Sequence, residues 1–521
     1  MGRTGRALLA CALAVVVLAP GTAFGAERHP RRAIAELPAV PSDSVVDSYG
    51  VGIHLNFLDT PYRDTDVVAD ALAGLGVRHV RDDLYLDAPR QYRAIARVAA
   101  RGVGFDLIMG RPGAGTPADY VSTVADELPA GAVESLEGAN EWDLFGGDGW
   151  VGEVRTWQQD LYAAAKADDA TADLPVLAPA LAFRWNYADL GDVSPAADLA
   201  NAHMYPGGYE PSNEIGAITR AVRQSMATQP LVTTEAGYTN ALGSTGSHRP
   251  VPEDVAGAYY PRLLLEHVAR GEQRVYSYEL IDSFDDPDTT NPEAHFGLLR
   301  HDLSPKPAYT AMQNLLALLD DPGPSFIPEP LAVTADGLSG DARYLLTERR
   351  DGGYVLLLWR DVRIWDPVQQ QRLPVTPDRA TVRLDVPHTL TVYRPTDGAD
   401  PVRQRVGTSV PVELDGQVTA IAIDAAEPPV VPGTPPGAPT VRRVDPGKGR
   451  VTVVWRAADG HGRPVTAYRL RAGGRTVTVG GSATRATIRR LAHGKRLRVT
   501  VQARNDVGWG PKVRTRAVRV R

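Results

Sequence analysis

The sequence contains a single cysteine in 521 residues, Cys11. Cys11 lies in an apolar run, ALLACALAVVVLAP, which follows Arg3 and Arg6 and precedes the small residues GTAFGA. This arrangement is typical of a secretory signal peptide, which we place at residues 1–25. Its removal would leave a chain without cysteine, which excludes disulfides, thiolate nucleophiles and cysteine-ligated metals. We therefore expect a secreted, extracellular protein.

Other common signatures are also missing. After the leader, no apolar stretch reaches the roughly 20 residues of a membrane helix, so we expect no membrane span. The chain has no G-x-x-x-x-G-K phosphate loop, no G-x-S-x-G nucleophile motif and no H-E-x-x-H zinc motif. We expect neither a cofactor nor a metal.

Charge is distributed unevenly along the chain. Residues 441–521 hold 21 Lys and Arg against three acids, a net charge of +18. Because the whole chain carries -6, the remainder carries -24. A field of this strength could hold a polyanion such as an anionic polysaccharide or a cell-wall polymer. The alternative is a spacer whose arginines only aid solubility.

Strands and helices alternate in the first half of the chain. Eight short apolar segments predict strands at residues 51–55, 77–82, 103–109, 133–139, 174–180, 198–204, 230–234 and 274–280. The stretches between them have apolar residues at helical spacing. Residues 47–322 are therefore predicted to form an α/β fold, a (β/α)8 TIM barrel, and a doubly wound sheet is the alternative. Residues 26–46 would be an N-terminal extension.

The second half has the pattern of antiparallel sheets. Alternation of apolar and polar residues predicts a β-sandwich at 323–427. A Pro-rich linker, EPPVVPGTPPGAP, follows and is placed at 428–438. Further alternating segments predict a second, smaller sandwich at 439–521. The expected architecture is thus a barrel followed by two β-sandwich domains.

Two carboxyl groups follow strand ends of the predicted barrel. Glu141, in EGANEWD, follows the fourth strand, and Glu235, in LVTTEAGYTN, follows the seventh. Hydrolysis of a glycosidic bond needs one carboxyl that donates a proton and one that stays ionised. In the same stretch, Glu137 lies inside the strand, where we expect an ion pair or polar contact in a layer of the barrel, whereas Asp143 is expected to brace the loop.

Several short motifs resemble clan A of the retaining glycoside hydrolases. They are Asn140-Glu141 after strand four, His203-Met204-Tyr205 after strand six, Glu235 after strand seven and HFGLLRHDLSPKPAYTAM at 295–312. The likeness covers residues 47–427 and is greatest to families with an appended sandwich, such as family 39. A family 5-like barrel with a β-sandwich is the alternative within the clan. The likeness implies a secreted enzyme that acts on a polysaccharide or oligosaccharide.

The resemblance assigns a role to each of five residues. Glu141 would be the acid/base and Glu235 the nucleophile. Asn140 would bind the 2-hydroxyl of the sugar. Tyr205 would donate a hydrogen bond to Glu235, and His203 would line the site. An alternative Asn-Glu pair at 213–214 follows a serine that would cap a helix, so we set it aside.

Further residues are expected to bind substrate. Arg81 would hold Glu235 ionised, although a structural ion pair with its acidic neighbours is the alternative. Tyr278 would replace the tryptophan platform that the clan often presents after strand eight. His54, at the first strand, and Trp142 complete the predicted set, and Trp150 and Trp185 also follow strand ends, where they could stack on sugar rings or pack in the core.

One acidic loop, SFDDPDTTNPEAH, offers oxygen ligands for calcium, but it lacks the spacing of an EF-hand loop. A solvated acidic loop is the favoured interpretation. We expect no metal.

The C-terminal residues resemble a fibronectin type III module. Trp455 lies in an early strand, Tyr468 in TAYRLRAG, and LAHGKRLRVTVQARNDVGWGP follows. Its charge would attract nucleic acid too, but a secreted location argues against that partner. Two alternatives to a hydrolase remain: a non-catalytic carbohydrate- or cell-wall-binding protein with a relic barrel, and a transglycosylase that uses the same carboxylates.

Overall fold

The computed structural model describes residues 36–246, 248–425, 434–461 and 463–521. The predicted leader and the first part of the Pro-rich linker lie outside the described residues. The chain divides into two compact units, Met1–Ala426 and Glu427–Arg521. In the part of the chain that is described, no helix is both long and apolar enough to cross a membrane.

A short strand and a short helix come before the barrel. They are β1 (Val40–Pro41) and α1 (Ser42–Asp47). The barrel strands follow as β2 (Tyr49–Gly52), β3 (His79–Asp83), β4 (Gly104–Ile108), β5 (Val133–Glu137), β6 (Val176–Leu177), β7 (Ala200–His203), β8 (Leu231–Ala236) and β9 (Arg274–Ser277). The intervening and closing helices are α2 (Thr65–Leu75), α3 (Pro89–Ala99), α4 (Pro117–Glu127), α5 (Trp150–Ala167), α6 (Asn186–Leu190), α7 (Ile215–Val222), α8 (Glu253–Ala269) and α9 (Pro307–Leu319).

The eight parallel strands form one sheet that closes on itself. Their order is β6-β5-β4-β3-β2-β9-β8-β7. A bridge between Leu177 and Leu199 joins the two ends, and the N–H of Ala178 donates to the carbonyl of Leu199 at 2.9 Å. A doubly wound sheet would leave two open edges, so the barrel prediction is confirmed and the alternative is wrong.

Strand β6 is much shorter than the predicted segment 174–180. Pro175 and Pro179 flank it, and proline cannot donate to a strand ladder. The closure is therefore short, and the carbonyl of Val176 completes it by accepting from the N–H groups of Asp198 and Leu199 at 2.8 and 3.3 Å.

A β-rich region follows the barrel in the first unit. Its strands are β10 (Val333–Asp336), β11 (Ala342–Glu348), β12 (Tyr354–Arg360), β13 (Trp365–Asp366), β14 (Gln371–Arg372), β15 (Asp378–Tyr393), β16 (Arg403–Leu414) and β17 (Thr419–Ile423). Six of them form a seven-stranded sheet with β1, in the order β1-β11-β12-β17-β15-β10 with β16 on β15, and β13 and β14 pair with each other. The register of the pairing of β15 with β16 shifts between Arg383 and His388. Apolar side chains of β10, β11, β12, β15, β16 and β17 share one core.

The predicted extension at 26–46 contributes to this sheet. Its described part contains β1, which pairs in parallel with β11 through Val40 and Thr347. The hydroxyls of Ser42 and Thr347 lie 3.2 Å apart.

Helix α8 packs between the barrel and the β-rich region. Every residue from Val255 to Ala269 is buried, although a barrel helix usually has one exposed face. Arg262 donates to the carbonyls of Gly416 and Val362 at 3.1 and 2.8 Å. The indole N–H of Trp359 donates to Glu266 at 2.7 Å. The β-rich region therefore covers the outer face of this helix.

The second unit is a small β-sandwich. Its strands are β18 (Thr440–Gly447), β19 (Arg450–Arg456), β20 (Ala467–Ala472), β21 (Arg475–Gly480), β22 (Arg485–Arg489), β23 (Arg496–Leu497), β24 (Thr500–Arg504), β25 (Val513–Arg514) and β26 (Val518–Arg519). A three-stranded sheet, β18-β19-β22, and a four-stranded sheet, β21-β20-β24-β25, enclose the core, and β23 pairs with β26. The rings of Trp455 and Tyr468 pack in that core with centroids 5.1 Å apart.

Candidate active site

Glu141 and Glu235 meet at the carboxyl end of the barrel. Glu235 lies in β8 and is 9% exposed. Glu141 follows β5 in a left-handed conformation with φ 46°, and its N–H donates to the carbonyl of Ala180 at 2.9 Å. The imidazole Nδ1 of His203, at the end of β7, lies 2.6 Å from Oε1 of Glu141 and 3.4 Å from Oε2 of Glu235. These three ligand atoms all lie within 4.8 Å of one another.

Arg81, at the centre of β3, lies beneath this pair. Its Nη1 donates to Glu235 at 2.6 Å, and its Nε and Nη2 donate to Glu137 at 2.6 and 2.9 Å. Its Nη2 also donates to Oδ1 of Asn140 at 2.7 Å. The arginine is therefore paired inside the barrel with Glu137 and Glu235, and not with the adjacent Asp82 that the alternative interpretation offered.

The surroundings keep Glu235 ionised. Burial raises the pKa of its carboxyl, but the charges of His203 and Arg81 and the hydrogen bonds from Tyr205 and Arg81 outweigh burial and lower that pKa to about 2. The Tyr205 hydroxyl donates at 2.7 Å. Burial lowers the pKa of His203, but the charges of Glu235 and Glu141 outweigh it, so the net shift is upward. Glu235 is thus a carboxylate over the ordinary pH range.

The two carboxyls open into a cavity of about 520 Å³. Its lining includes Asn140, Glu141, His203, Tyr205, Glu235 and Tyr278. Aromatic side chains extend the wall outward from these residues. Phe183 and Trp185 stack with ring centroids 4.9 Å apart and an interplanar angle of 15°. Trp185 is 65% exposed, so its face is free to meet a ligand.

The remaining predicted residues are placed differently. Tyr278 lines the cavity and is joined to Glu279 by a cis peptide bond. His54 lies behind Tyr278, edge to face at 5.7 Å, with its Nε2 3.1 Å from Glu279. Trp142 is not brought to the cavity, because its indole N–H donates to Glu153 on α5 at 2.6 Å.

The two other tryptophan candidates, Trp150 and Trp185, lie in different surroundings. Trp150 begins α5 and packs, partly buried, against an apolar cluster of the barrel. Trp185 is the one of the predicted tryptophans that lines the cavity. The discarded Glu214 also lines it, paired with Arg184.

Asn201 and Thr234, which complete the hydrogen-bond network around Glu137, carry little sequence signal. Glu137 accepts from Arg81 and from Nδ2 of Asn201 at 3.0 Å, and Thr234 donates to Asn201 at 2.7 Å. The alternation of inward- and outward-facing residues along each strand is the only sequence pattern that indicates these polar side chains inside the barrel. Asp143 accepts hydrogen bonds from the backbone N–H groups of residues 182 and 183 at 3.0 and 3.1 Å, so it holds the loop that carries Trp185.

Few acidic and imidazole side chains of the described residues lie close enough together to bind a metal ion. In the described ranges, Glu141, His203 and Glu235 are the one group of three or more such side chains close enough to share an ion. Arg81 already supplies a cation to Glu235, which disfavours a metal there. In the acidic loop, Asp282 pairs with Lys306 at 2.8 Å and Asp286 with His295 at 3.2 Å, so these acids bind side chains of the protein.

Comparison with known proteins identifies the fold of both units. A family 39 glycoside hydrolase from the gut symbiont Bacteroides cellulosilyticus WH2 superposes with a TM-score of 0.53 at 16% identity, covering 74% of this chain and 83% of that one. A glucosidase from Croceicoccus marinus gives a TM-score of 0.51 at 14% identity, covering 76% and 98%. A monomeric beta-xylosidase from Caulobacter crescentus CB15 gives 0.50 at 14% identity, covering 75% and 98%.

The fibronectin type III domain family matches residues 434–519. No curated protein matches the sequence. The predicted resemblances, to family 39-type structures and to a fibronectin type III module, are therefore confirmed. At these identities the likeness to solved structures concerns the fold.

Proposed function

We propose that this chain is a secreted retaining glycoside hydrolase that cleaves O-glycosidic bonds by double displacement. The observation that carries the proposal is the approach of one oxygen of Glu141 to one oxygen of Glu235, within 4.8 Å. Retaining enzymes hold their two carboxyls about 5 to 5.5 Å apart, whereas inverting enzymes need about 6.5 to 9.5 Å to admit a water between carboxyl and sugar. The observed gap fits the first class.

Glu235 has the properties of a nucleophile. It is ionised, buried and held in place by Arg81 and Tyr205. In the first step its carboxylate attacks the anomeric carbon while Glu141 gives a proton to the leaving oxygen. In the second step Glu141 takes a proton from water, the water oxygen attacks the same carbon, and Glu235 leaves as a carboxylate. His203, which contacts both carboxyls, would hold Glu141 in position through both steps.

Asn140 and Tyr278 are assigned to the sugar. The Oδ1 of Asn140 is fixed by Arg81, so its amide N–H group is oriented by that bond and can donate to the 2-hydroxyl. Such a contact strengthens as the oxocarbenium ion develops. Tyr278 lines the same cavity.

A neutral sugar suits this cavity best. Glu293 lines it beside the two reacting carboxyls, and its pKa is raised by burial and by the charges of Glu279 and Glu235. A uronate carboxylate bound here would add another negative charge to this group. The solved structures of similar fold include enzymes named as a glucosidase and a beta-xylosidase. We therefore propose a neutral glucose- or xylose-type glycoside within a polysaccharide or oligosaccharide.

The configuration of the first product tests the mechanism. A panel of aryl glycosides of neutral sugars is incubated with the enzyme, and proton NMR follows the anomer that forms before mutarotation. We expect the configuration of the substrate to be kept. Appearance of the opposite anomer first would contradict double displacement, and absence of turnover on every glycoside, with binding retained, would favour a non-catalytic carbohydrate-binding protein.

Trp185 is expected to bind sugar units beyond the reacting one. Replacement by alanine should raise the KM for an oligosaccharide by about 3- to 10-fold, because one aromatic contact contributes about 0.5 to 1.5 kcal/mol. The kcat for an aryl glycoside should stay unchanged, since such a substrate has no sugar unit beyond the reacting one. Phe145→Ala is the matched control, because Phe145 is 67% exposed and does not line the cavity. Equal KM changes in both variants would contradict the assignment.

A further inference from the structure

The outer face of one sheet in the second unit is rich in arginine. In the four-stranded sheet, β20 and β24 turn Tyr468, Leu470, Val501 and Ala503 into the core. The alternate positions, Arg469 and Arg471 on β20 and Arg504 on β24, therefore point outward. Arg514 on β25 is paired with Thr500, which also faces outward. These four arginines share one side of the sheet.

Carboxylates do not neutralise this side. Within the second unit as described, the two ion pairs are Arg443 with Asp445 and Arg463 with Asp506. Neither pair includes an arginine of the outer face of the four-stranded sheet. The pKa of Arg469 is lowered by partial burial and by the charges of Arg471 and Arg504, as expected where like charges are close.

An aromatic ring lies among these charges. The guanidinium carbon of Arg469 lies 3.8 Å from the ring centroid of Trp509, and that of Arg504 lies 5.7 Å away. Trp509 forms a backbone bridge opposite Arg504, which places its side chain on the same face. Gln502 accepts a hydrogen bond from Arg469 at 3.1 Å and fixes its orientation. Cations, an indole ring and hydroxyls such as that of Thr500 thus form a flat polar surface.

We propose that this surface, the arginine face (Arg469, Arg471, Arg504, Arg514 and Trp509), binds an anionic polysaccharide. Charge complementarity supports the choice, because a polymer with repeated carboxylates can meet several guanidinium groups at once. The hydroxyl and indole groups can bind the sugar units between those charges.

The scarcity of aromatic rings on this face argues against single-stranded nucleic acid. Single-stranded nucleic acid binds to proteins through successive stacking aromatic residues. This face offers one ring, Trp509, which Arg469 already covers. Nucleic acid would therefore contact this face only through its phosphates, which would pair with the arginines.

The bound polymer need not be the polymer that is cleaved. This step rests on the proposed function, in which the cavity beside Glu293 takes a neutral sugar. An anionic polysaccharide held by the second unit would keep the barrel close to neutral glycans in the same matrix and raise their effective concentration. We infer that the chain anchors on one polymer and hydrolyses another.

Binding of the full chain to sodium polygalacturonate tests the proposal. Affinity electrophoresis would be run with this polymer, with neutral pullulan and with duplex and single-stranded DNA. The triple variant Arg469→Gln/Arg471→Gln/Arg504→Gln should weaken binding to polygalacturonate by about 10-fold or more, since each exposed ion pair contributes up to about 1 kcal/mol. Binding should weaken as salt is raised, and pullulan should not bind.

A matched variant removes the same charge from the opposite sheet. Arg450→Gln/Arg456→Gln/Arg489→Gln changes three exposed arginines of β19 and β22. It should weaken binding by less than about 3-fold. Equal weakening by both triple variants would overturn the assignment to this face, as would tighter binding to either DNA than to polygalacturonate. If the first triple variant unfolds, Arg471→Gln/Arg514→Gln replaces it, because both side chains are exposed.

Turnover of an aryl glycoside, measured on the same proteins, separates the two proposals. The arginine-face variants should keep the wild-type kcat. Wild-type turnover without binding to polygalacturonate would overturn the inference alone. Binding without turnover would contradict the proposed hydrolase and leave the arginine face supported.

Discussion

Replacement of Glu235 by glutamine is expected to lower kcat for an aryl glycoside by about four orders of magnitude or more, the size of loss that follows removal of a nucleophile. Glutamine keeps the shape of the side chain and one oxygen that can accept from Arg81, while the Tyr205 hydroxyl can turn to accept from the new amide N–H, so the fold should survive. Steady-state kinetics, with circular dichroism and thermal unfolding of the same sample, would measure both effects. A 2-fluoro glycoside inactivator should label Glu235 in the wild type.

Small nucleophiles distinguish the roles of the two carboxyls. In Glu235→Gly, added azide can attack the anomeric carbon from the vacated side and should give a glycosyl azide of inverted configuration. In Glu141→Ala, azide should intercept the glycosyl enzyme and give the retained azide. Glu214→Gln is the matched control, since Glu214 lines the same cavity but pairs with Arg184. A loss in that control as large as in Glu235→Gln would contradict the assignment.

Replacement of Arg81 by methionine is expected to destabilise the fold by about 3 to 5 kcal/mol, because it leaves Glu137 and Glu235 buried without their cation. The same change should raise the pKa of Glu235. Urea unfolding at several pH values would measure the first effect, and the pH dependence of kcat/KM would measure the second, as an acid limb displaced upward. Arg78→Met is the matched control, because Arg78 also pairs with two carboxylates but is 29% exposed. It should cost less than about 1 kcal/mol.

The stability that Glu235 gains from its surroundings should decrease as pH falls. The pKa of Glu235 is about 2 in the folded chain against an ordinary 4.5. A lowered pKa contributes stability that is present above pH 4.5 and is lost as pH falls towards 2. Without Arg81 the pKa of folded Glu235 rises, so protonation at low pH removes the free-energy cost of burying a carboxylate without its cation. The stability difference between wild type and Arg81→Met should therefore shrink from pH 6 to pH 3, and a constant difference would contradict this role.

The arrangement of the site follows from the sequence to the extent that strand positions determine it. Once eight strands are placed, Glu141 and Glu235 fall at the same end of the barrel. Trp142 shows the limit of this reasoning. It follows a strand end as Trp185 does, but its indole meets Glu153 on the next helix, and the sequence carries no signal for that contact. The position of Glu137 inside the barrel could be predicted, because the side chains of a barrel strand point alternately into the barrel and towards the surrounding helices.

Other features could not be predicted from local patterns. Strand β1 has two residues, too few for a period of two to be visible, and its partner lies in a distant part of the chain. The complete burial of α8 depends on tertiary packing against the β-rich region, since its sequence is that of an ordinary barrel helix. The arginine face was visible only as an excess of charge, because its outward side depends on how β20 and β24 are paired.

The pairing of β1 with β11 also bears on how the protein is made. Ser42 meets Thr347 across 305 residues of sequence. At about 5 to 20 residues per second, a ribosome needs about 15 to 60 s to synthesise that interval. During this time the nascent strand β1 has no partner, and α8, once it is made, lacks the β-rich region that covers it. A chaperone that binds late in that interval would meet a chain whose barrel is largely synthesised but whose first described strand is still free.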